Sequence, residues 1–435
     1  ALIKATESLM ATTQKMELLR LNKVVDAGAK GFVVFLEGML EFFKTGQAIS
    51  VEALGKDEVI EEEIISHEVL TFRYCTEALI TGKELDKSKI RDEIAGFGDS
   101  LVVAGSPQKL RIHIHTDEPW NLFVKLGEMA TISAQKVDDM VMQNEVASAK
   151  KHDVAIVTDS TCDLPKEIIE QYQIQVVPLS IHFGTTFYLD RITMHPEQFY
   201  KMLETSDVYP STAQPAYKEF YNRYNYLSTH YKSILSIHIS NKLSGTWQNS
   251  LNAAKKVEEE SGKTIKVINS NRVSNALGLI VLRAARALEQ GMLPDEISTL
   301  ITKWSEKTNV LVSAKSMKYM IKSGRVSKSK GVIGSVLNIK PVVTMDSEGK
   351  TAAFGKPFTF KQSMKMVMNE FKKFIDGKKV WGYAISHADN LELANWYAQE
   401  LEKITGMKPE FIQHASPVLV TNVGTGVVAV TVMLD

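Results

Sequence analysis

Three hydroxyl-bearing turns stand out as places where this chain could do chemistry. In Val154-Ala-Ile-Val-Thr-Asp-Ser-Thr-Cys-Asp-Leu-Pro165 an apolar run breaks at Thr158 into a polar turn, and Pro165 opens a helix. That pattern predicts a buried strand carrying hydroxyls and a carboxylate to its carboxyl end, where open α/β sheets place their ligands. Pro210-Ser-Thr-Ala-Gln-Pro215 and Ser240-Asn-Lys-Leu-Ser-Gly-Thr246 follow, each before a further helix. Thr212 and Ser244 therefore lie on the approach to helix N-termini, whose unpaired N–H groups and partial positive charge suit a carboxylate. Gly245 permits close backbone approach. Two such ends could hold both oxygens of one carboxylate. Taken singly, each hydroxyl serves as well as a cap of its own helix. Ser160, in the Asp159-Ser160-Thr161 turn, is placed beside the site, with Asp159 in an Asx-type turn.

A different chemistry is written into Leu110-Arg-Ile-His-Ile-His-Thr116. Strand alternation puts Leu110, Ile112 and Ile114 on one face and Arg111, His113 and His115 on the other. Two histidines at i and i+2 can grip one Zn²⁺, and Cys75, on another expected strand, could be the third ligand. Three protein ligands leave a position for water or a substrate. The plain alternative is two solvent-facing histidines and a buried thiol.

The elements that must position these groups follow from the hydrophobic pattern. The 435 residues include 51 basic and 51 acidic side chains, so the net charge is zero and no nucleic-acid partner is indicated. The two cysteines, Cys75 and Cys162, read as thiols. No signal peptide and no transmembrane segment are visible, which leads us to expect a cytoplasmic protein. Residues 5–20 and 32–44 read as a helical hairpin across an Asp26-Ala-Gly-Ala-Lys-Gly31 turn, the second helix ending at Gly46. Residues 47–150 read as a small α+β domain, with strands at 69–76, 100–104 and 109–116 and helices at 88–95 and 119–129. From 151 to 306 strands and helices alternate, which predicts a doubly wound parallel sheet. Residues 307–435 form a second α/β lobe. The fold class is α/β.

The three hydroxyl turns, in this order, resemble the DegV family of fatty-acid-binding proteins from about Asp153 to the last residue. The resemblance implies a two-lobed fold that holds a long-chain fatty acid, with its carboxylate at Thr212 and Ser244. Ala213 stands where the family usually has Ser. Ser323-Gly-Arg325-Val-Ser and Leu337-Asn-Ile-Lys-Pro341 resemble the family's Gly-Arg turn and the strand start that follows it. Arg325 would supply positive charge near the head group. In Thr421-Asn-Val-Gly-Thr-Gly426, Asn422 replaces the family's His and cannot carry its proton. Residues 70–145 resemble the middle domain of the fatty acid kinase FakA, whose Cys and two His bind zinc and match Cys75, His113 and His115. Residues 1–46 resemble the end of a dihydroxyacetone-kinase-L-like ATP-binding domain. That family's Mg²⁺ and phosphate groups lie upstream of such helices, so ATP and Mg²⁺ would enter only through a missing kinase part. The combined expectation is a carrier that holds a fatty acid for acyl phosphate formation by a kinase domain in cis or trans, this chain alone not being catalytic. A zinc-dependent hydrolase centred on Cys75, His113 and His115 is the rival, and a homodimer stays open.

Overall fold

The structure, a computed structural model, describes residues 2–15, 25–46, 71–323 and 339–435. The chain divides into two compact units, Ala1–Val69 and Leu70–Asp435. In the first, α1 (Leu2–Lys15) pairs with α2 (Ala27–Thr45). The run expected to be a turn is already helical from Ala27, because the Asp26 carboxylate caps it by accepting from the Ala29 N–H at 2.7 Å. Gly46, at φ 71°, closes α2 as expected. Leu9 and Val33 are buried, while Phe32, Phe35, Phe42 and Phe43 are exposed.

The second unit begins with β1 (Tyr74–Thr81), α3 (Lys87–Ile94), β2 (Asp99–Ser106), β3 (Lys109–Thr116), α4 (Pro119–Met129), β4 (Thr131–Asp139) and α5 (Met140–Ser148). Its strands form an antiparallel sheet in the order β2-β3-β1-β4. The first strand lies five residues beyond its expected start. Thr76, Ala78 and Ile80 supply its buried face, so Cys75 and Glu77 point to the other side. The core of this segment, with Ile80, Ile112, Phe123 and Leu126, is continuous with Ile181, Tyr188 and Phe199 further along the chain.

The first lobe contains β5 (Val154–Asp159), α6 (Lys166–Gln171), β6 (Gln175–Val177), β7 (Ser180–Phe183), β8 (Thr186–Leu189), α7 (Pro196–Thr205), β9 (Ser211–Ala213), α8 (Tyr217–His230), β10 (Ser233–His238), α9 (Thr246–Ser261), β11 (Thr264–Asn269), α10 (Asn275–Glu289) and α11 (Pro294–Glu306). A parallel sheet runs β11-β10-β5-β6. The pattern over 174–181 reads as one strand, but the structure divides it at Pro178, which has no N–H for a ladder. Residues 175–177 stay in the parallel sheet, whereas β7 joins a separate antiparallel sheet, β8-β7-β9.

The second lobe contains β12 (Thr308–Ser313), α12 (Lys318–Ser323), β13 (Val342–Met345), β14 (Thr351–Gly355), α13 (Phe360–Ile375), β15 (Val380–His387), α14 (Leu391–Thr405), β16 (Phe411–His414), α15 (Pro417–Val423) and β17 (Val428–Leu434). Its sheet, β14-β13-β12-β17-β15-β16, is antiparallel except between β15 and β16. Helix α10 joins the lobes. It is buried nearly all round, and its core neighbours include Ile156 and Leu235 of one sheet and Ala384 and Met433 of the other. Gly278 lets it approach the Ser160–Cys162 turn, since a Cβ there would lie 2.3 Å from the Cys162 carbonyl oxygen.

Candidate functional site

The three hydroxyl turns converge, together with the Asn422 segment, on one cavity of about 430 Å³. Thr161, Thr212, Ser244, Gly245 and Asn422 all line it. Its apolar wall comes from both lobes, including Leu179, Leu243, Val312, Val343 and Val427. No charged side chain lines it among the described residues. Such a space suits an amphiphile: burial of apolar surface contributes the affinity, and a few hydroxyls and amides orient the polar group.

The local geometry differs from the expectation at Thr212. It lies on β9, paired with Ile181 of β7, and not at a helix start. The start of α8 is served by the chain's own Glu219, whose carboxylate accepts from the Ala216 N–H at 2.7 Å. Ser244 does lie at the start of α9, just before the N-cap Gly245. Its hydroxyl accepts from the Thr246 N–H at 3.3 Å and is 2.8 Å from the Thr246 hydroxyl. The close approach allowed by Gly245 is made by Gln214, whose Oε1 would sit 2.2 Å from a Cβ at that position. Asn249 donates to the Pro215 carbonyl at 2.9 Å, tying the two turns together. Asn422 donates to the Val418 carbonyl one turn back on α15, at 2.8 Å.

Ser160 is not brought to the cavity; its neighbour Thr161 is. The Ser160 hydroxyl donates to Asp190 at 2.6 Å and accepts from the Leu179 N–H. Asp159 makes the Asx turn to the Thr161 N–H at 3.1 Å and also accepts from the Ile239 N–H. Arg325 lies outside the described residues.

Beneath the cavity wall is a buried ionic network that sequence reasoning missed. Asp163 accepts from the Ser274 hydroxyl at 2.5 Å and the Ser416 N–H at 2.8 Å, and pairs with Arg191 at 3.3 Å. Asp190 accepts from the Ser160 and Ser416 hydroxyls at 2.6 Å. Burial raises both carboxyls above their ordinary range, Asp190 to about 6. Arg191 and Ser274 are held at φ 63° and 60°, a sparsely populated conformation for such residues. Asp163 was visible in the first motif, but nothing local marked Asp190, Ser274 or Ser416 as its partners.

Cys75, His113 and His115 come together as the strand pattern implied. Their donor atoms lie within 4.8 Å of one another, and Cys75 Sγ is 3.9 Å from His113 Nδ1. The register places Asp99, His115, Cys75 and Asp138 side by side across β2, β3, β1 and β4. Asp99 reaches to 3.5 Å from His115 Nδ1. Burial, then Asp138 and Glu77, push the Cys75 thiol up. One thiol, once deprotonated, and two imidazoles are donor types that suit Zn²⁺. The three residues line neither this cavity nor the second one, which lies around Arg223. Cys162 is fully buried and its thiol is pushed up to about 12, which makes it inert.

A parallel α/β lobe is joined by a buried helix to a second lobe, and the cavity lined by both has no charged liner among the described residues. Residues 153–435 match the DegV family, and the chain belongs to it. Residues 71–147 match the FakA-like middle domain of fatty acid kinases. A DegV domain-containing protein of Clostridium perfringens is 36% identical over 219 residues, half of this chain and 77% of that protein. Another, from Staphylococcus aureus, is 30% identical over 278 residues, covering 64% of this chain and 98% of its own length. Among solved structures, the fatty acid binding protein DegV of Bacillus subtilis is 26% identical with a TM-score of 0.59, over 65% of this chain and 99% of that one. A fatty-acid-binding DegV family protein from Thermus thermophilus is 25% identical with the same TM-score and the same coverage. Among the described residues, no helix is long and apolar enough to cross a membrane.

Proposed function

We propose that the DegV module of this chain binds a long-chain fatty acid in the 430 Å³ cavity and holds its carboxylate among Thr212, Ser244, Gly245 and Asn422. The observation that carries this reading is the cavity itself: one space collects these polar groups with a few further hydroxyls, is apolar over most of its wall, and has no charged liner among the described residues. Each buried methylene of the acyl chain contributes roughly 0.8 kcal/mol, so long chains are favoured. The start of α9 adds partial positive charge. The middle-domain match supports a place in a fatty acid kinase system, with the held carboxylate presented to a kinase domain in cis or trans for acyl phosphate formation. In this reading Ser160 positions the wall through Asp190.

Zn²⁺ would be held by Cys75, His113 and His115, pinning β1 to β3. When bound it would supply structural cross-linking, and the protein's own part is to hold the three donors on one sheet face. A hydrolase centred there finds no support, since none of the three residues faces either cavity.

The test is mass spectrometry of the purified, denatured protein, with titration by oleate and palmitate. A near-stoichiometric fatty acid, or tight binding of added acid, is expected. No co-purified lipid together with no binding of either acid refutes the reading.

A further inference from the structure

A second cavity, of about 300 Å³, lies where the segment 71–148 packs against the first lobe. Its lining includes four residues of fixed positive charge, Arg73, Lys166, Arg191 and Arg223. Three of them already have carboxylate partners. Arg73 pairs with Asp139 and Glu170, Lys166 is 3.7 Å from Glu170, and Arg191 pairs with Asp163. The lining carboxylates are engaged too: Asp139 by Arg73, Asp138 by Lys136, and Asp190 by two serine hydroxyls.

Arg223 is the exception. It makes one hydrogen bond, to the neutral Gln175 Oε1 at 3.0 Å, and no ion pair within 4.0 Å among the described residues. Asp138 and Asp139 act on it only at longer range. By surface area it is partly exposed, yet it is packed densely enough that burial pushes its pKa down. A guanidinium carries five N–H donors in a planar fork. Half-buried and without an anion, Arg223 keeps only part of its hydration, and the fork matches an oxyanion bidentately. Around it Trp120, Met142, Ile169 and Tyr226 provide an apolar wall, with Trp120 against His195 at 5.4 Å between ring centroids.

We propose that this second cavity binds a small phosphate-bearing anion, with the Arg223 guanidinium as its principal partner. The cavity is large enough for phosphate on a compact organic body. The site is separate from the lipid cavity: Ser160, Asp190 and Arg191 face it, and Thr161, Ser274 and Val418 face the other. Its failure and the failure of the lipid reading are therefore distinguishable.

The experiment titrates inorganic phosphate, glycerol 3-phosphate and acetate into the full chain at constant ionic strength, in the parent and in Arg223→Gln. A cooperative thermal melt, with oleate binding beside it, reports that the variant is folded. Phosphate or the monoester is expected to bind the parent, and Arg223→Gln to weaken that binding about tenfold or more. Without ligand, Arg223→Gln should melt at or above the parent temperature, because an unpaired charge is gone. If Arg223→Gln loses oleate binding, the readout is the Trp120 indole N–H resonance of the parent, assigned with Trp120→Phe, which phosphate or the monoester should shift. No phosphate or monoester binding up to about 10 mM, equal binding by a folded Arg223→Gln, binding of acetate alone, or an unmoved Trp120 resonance overturns the proposal.

Discussion

Replacing Thr212 and Ser244 together by Ala should weaken fatty-acid binding far more than it weakens the fold. The folding cost is small for a reason visible at each site. β9 is held to β7 by backbone pairing, which Thr212→Ala leaves intact. The Ser244 hydroxyl accepts from the Thr246 N–H at a long 3.3 Å, so its loss belongs at the low end of the cap range, about 0.5–1 kcal/mol. A carboxylate bound by these hydroxyls would lose charge-assisted hydrogen bonds of about 1.5–3 kcal/mol each. That is about 10–150-fold in Kd per hydroxyl. The α9 N–H groups and the Gln214 amide stay in place, so binding should drop without vanishing. Titration calorimetry with oleate measures the loss, and thermal melts measure the folding cost. Asn422→His is the informative companion, since Asn422 lines the same cavity and the change adds a group able to carry a proton. A double Ala variant that binds oleate as tightly as the parent would show that the hydroxyls serve only their own turns.

Three further outcomes are expected. Protein prepared without chelator should contain about one Zn²⁺ per chain and lose it in Cys75→Ser; because the Cys75 thiol is raised and must shed its proton, affinity should fall by up to roughly tenfold per pH unit on acidification, and zinc-free parent protein by metal analysis would contradict this. Asp190, at about 6 in the folded protein and about 3.9 unfolded, holds its proton more tightly when folded. Its contribution is full below about pH 4 and is lost as pH rises through about 6, on the order of 2–3 kcal/mol. Asp190→Asn should lack this slope in urea unfolding across that window, and parallel profiles for parent and variant would refute the assignment. Gly278→Ala should destabilise by about 1–3 kcal/mol, because the new Cβ meets a backbone oxygen at 2.3 Å; an unchanged urea midpoint would show that the helix can shift.

What the sequence determined by itself is local. Period and caps alone read helices over 196–205, 247–260, 274–289, 294–307, 361–376 and 390–404, and α7, α9, α10, α11, α13 and α14 lie within a residue or two of those bounds, because each helix depends on its own apolar stripe and end groups. Alternation along Leu110–Thr116 put His113 and His115 on one face, and the register with β1 brought Cys75 beside them. The order of hydroxyl turns was enough to expect the DegV fold. The tertiary structure decided which residues meet. Pro178 redirects a continuous apolar run into a second sheet, and that pairing, not helix capping, holds Thr212. The second lobe is mostly antiparallel, although its alternating strands and helices read much like the first. Ser160 and Thr161 are neighbours with the same hydroxyl chemistry, yet one donates to Asp190, thirty positions away, and the other, donating to the nearby Asp159, lines the cavity. Such partnerships, like the solitary Arg223, are set by packing between distant segments, which no local pattern records.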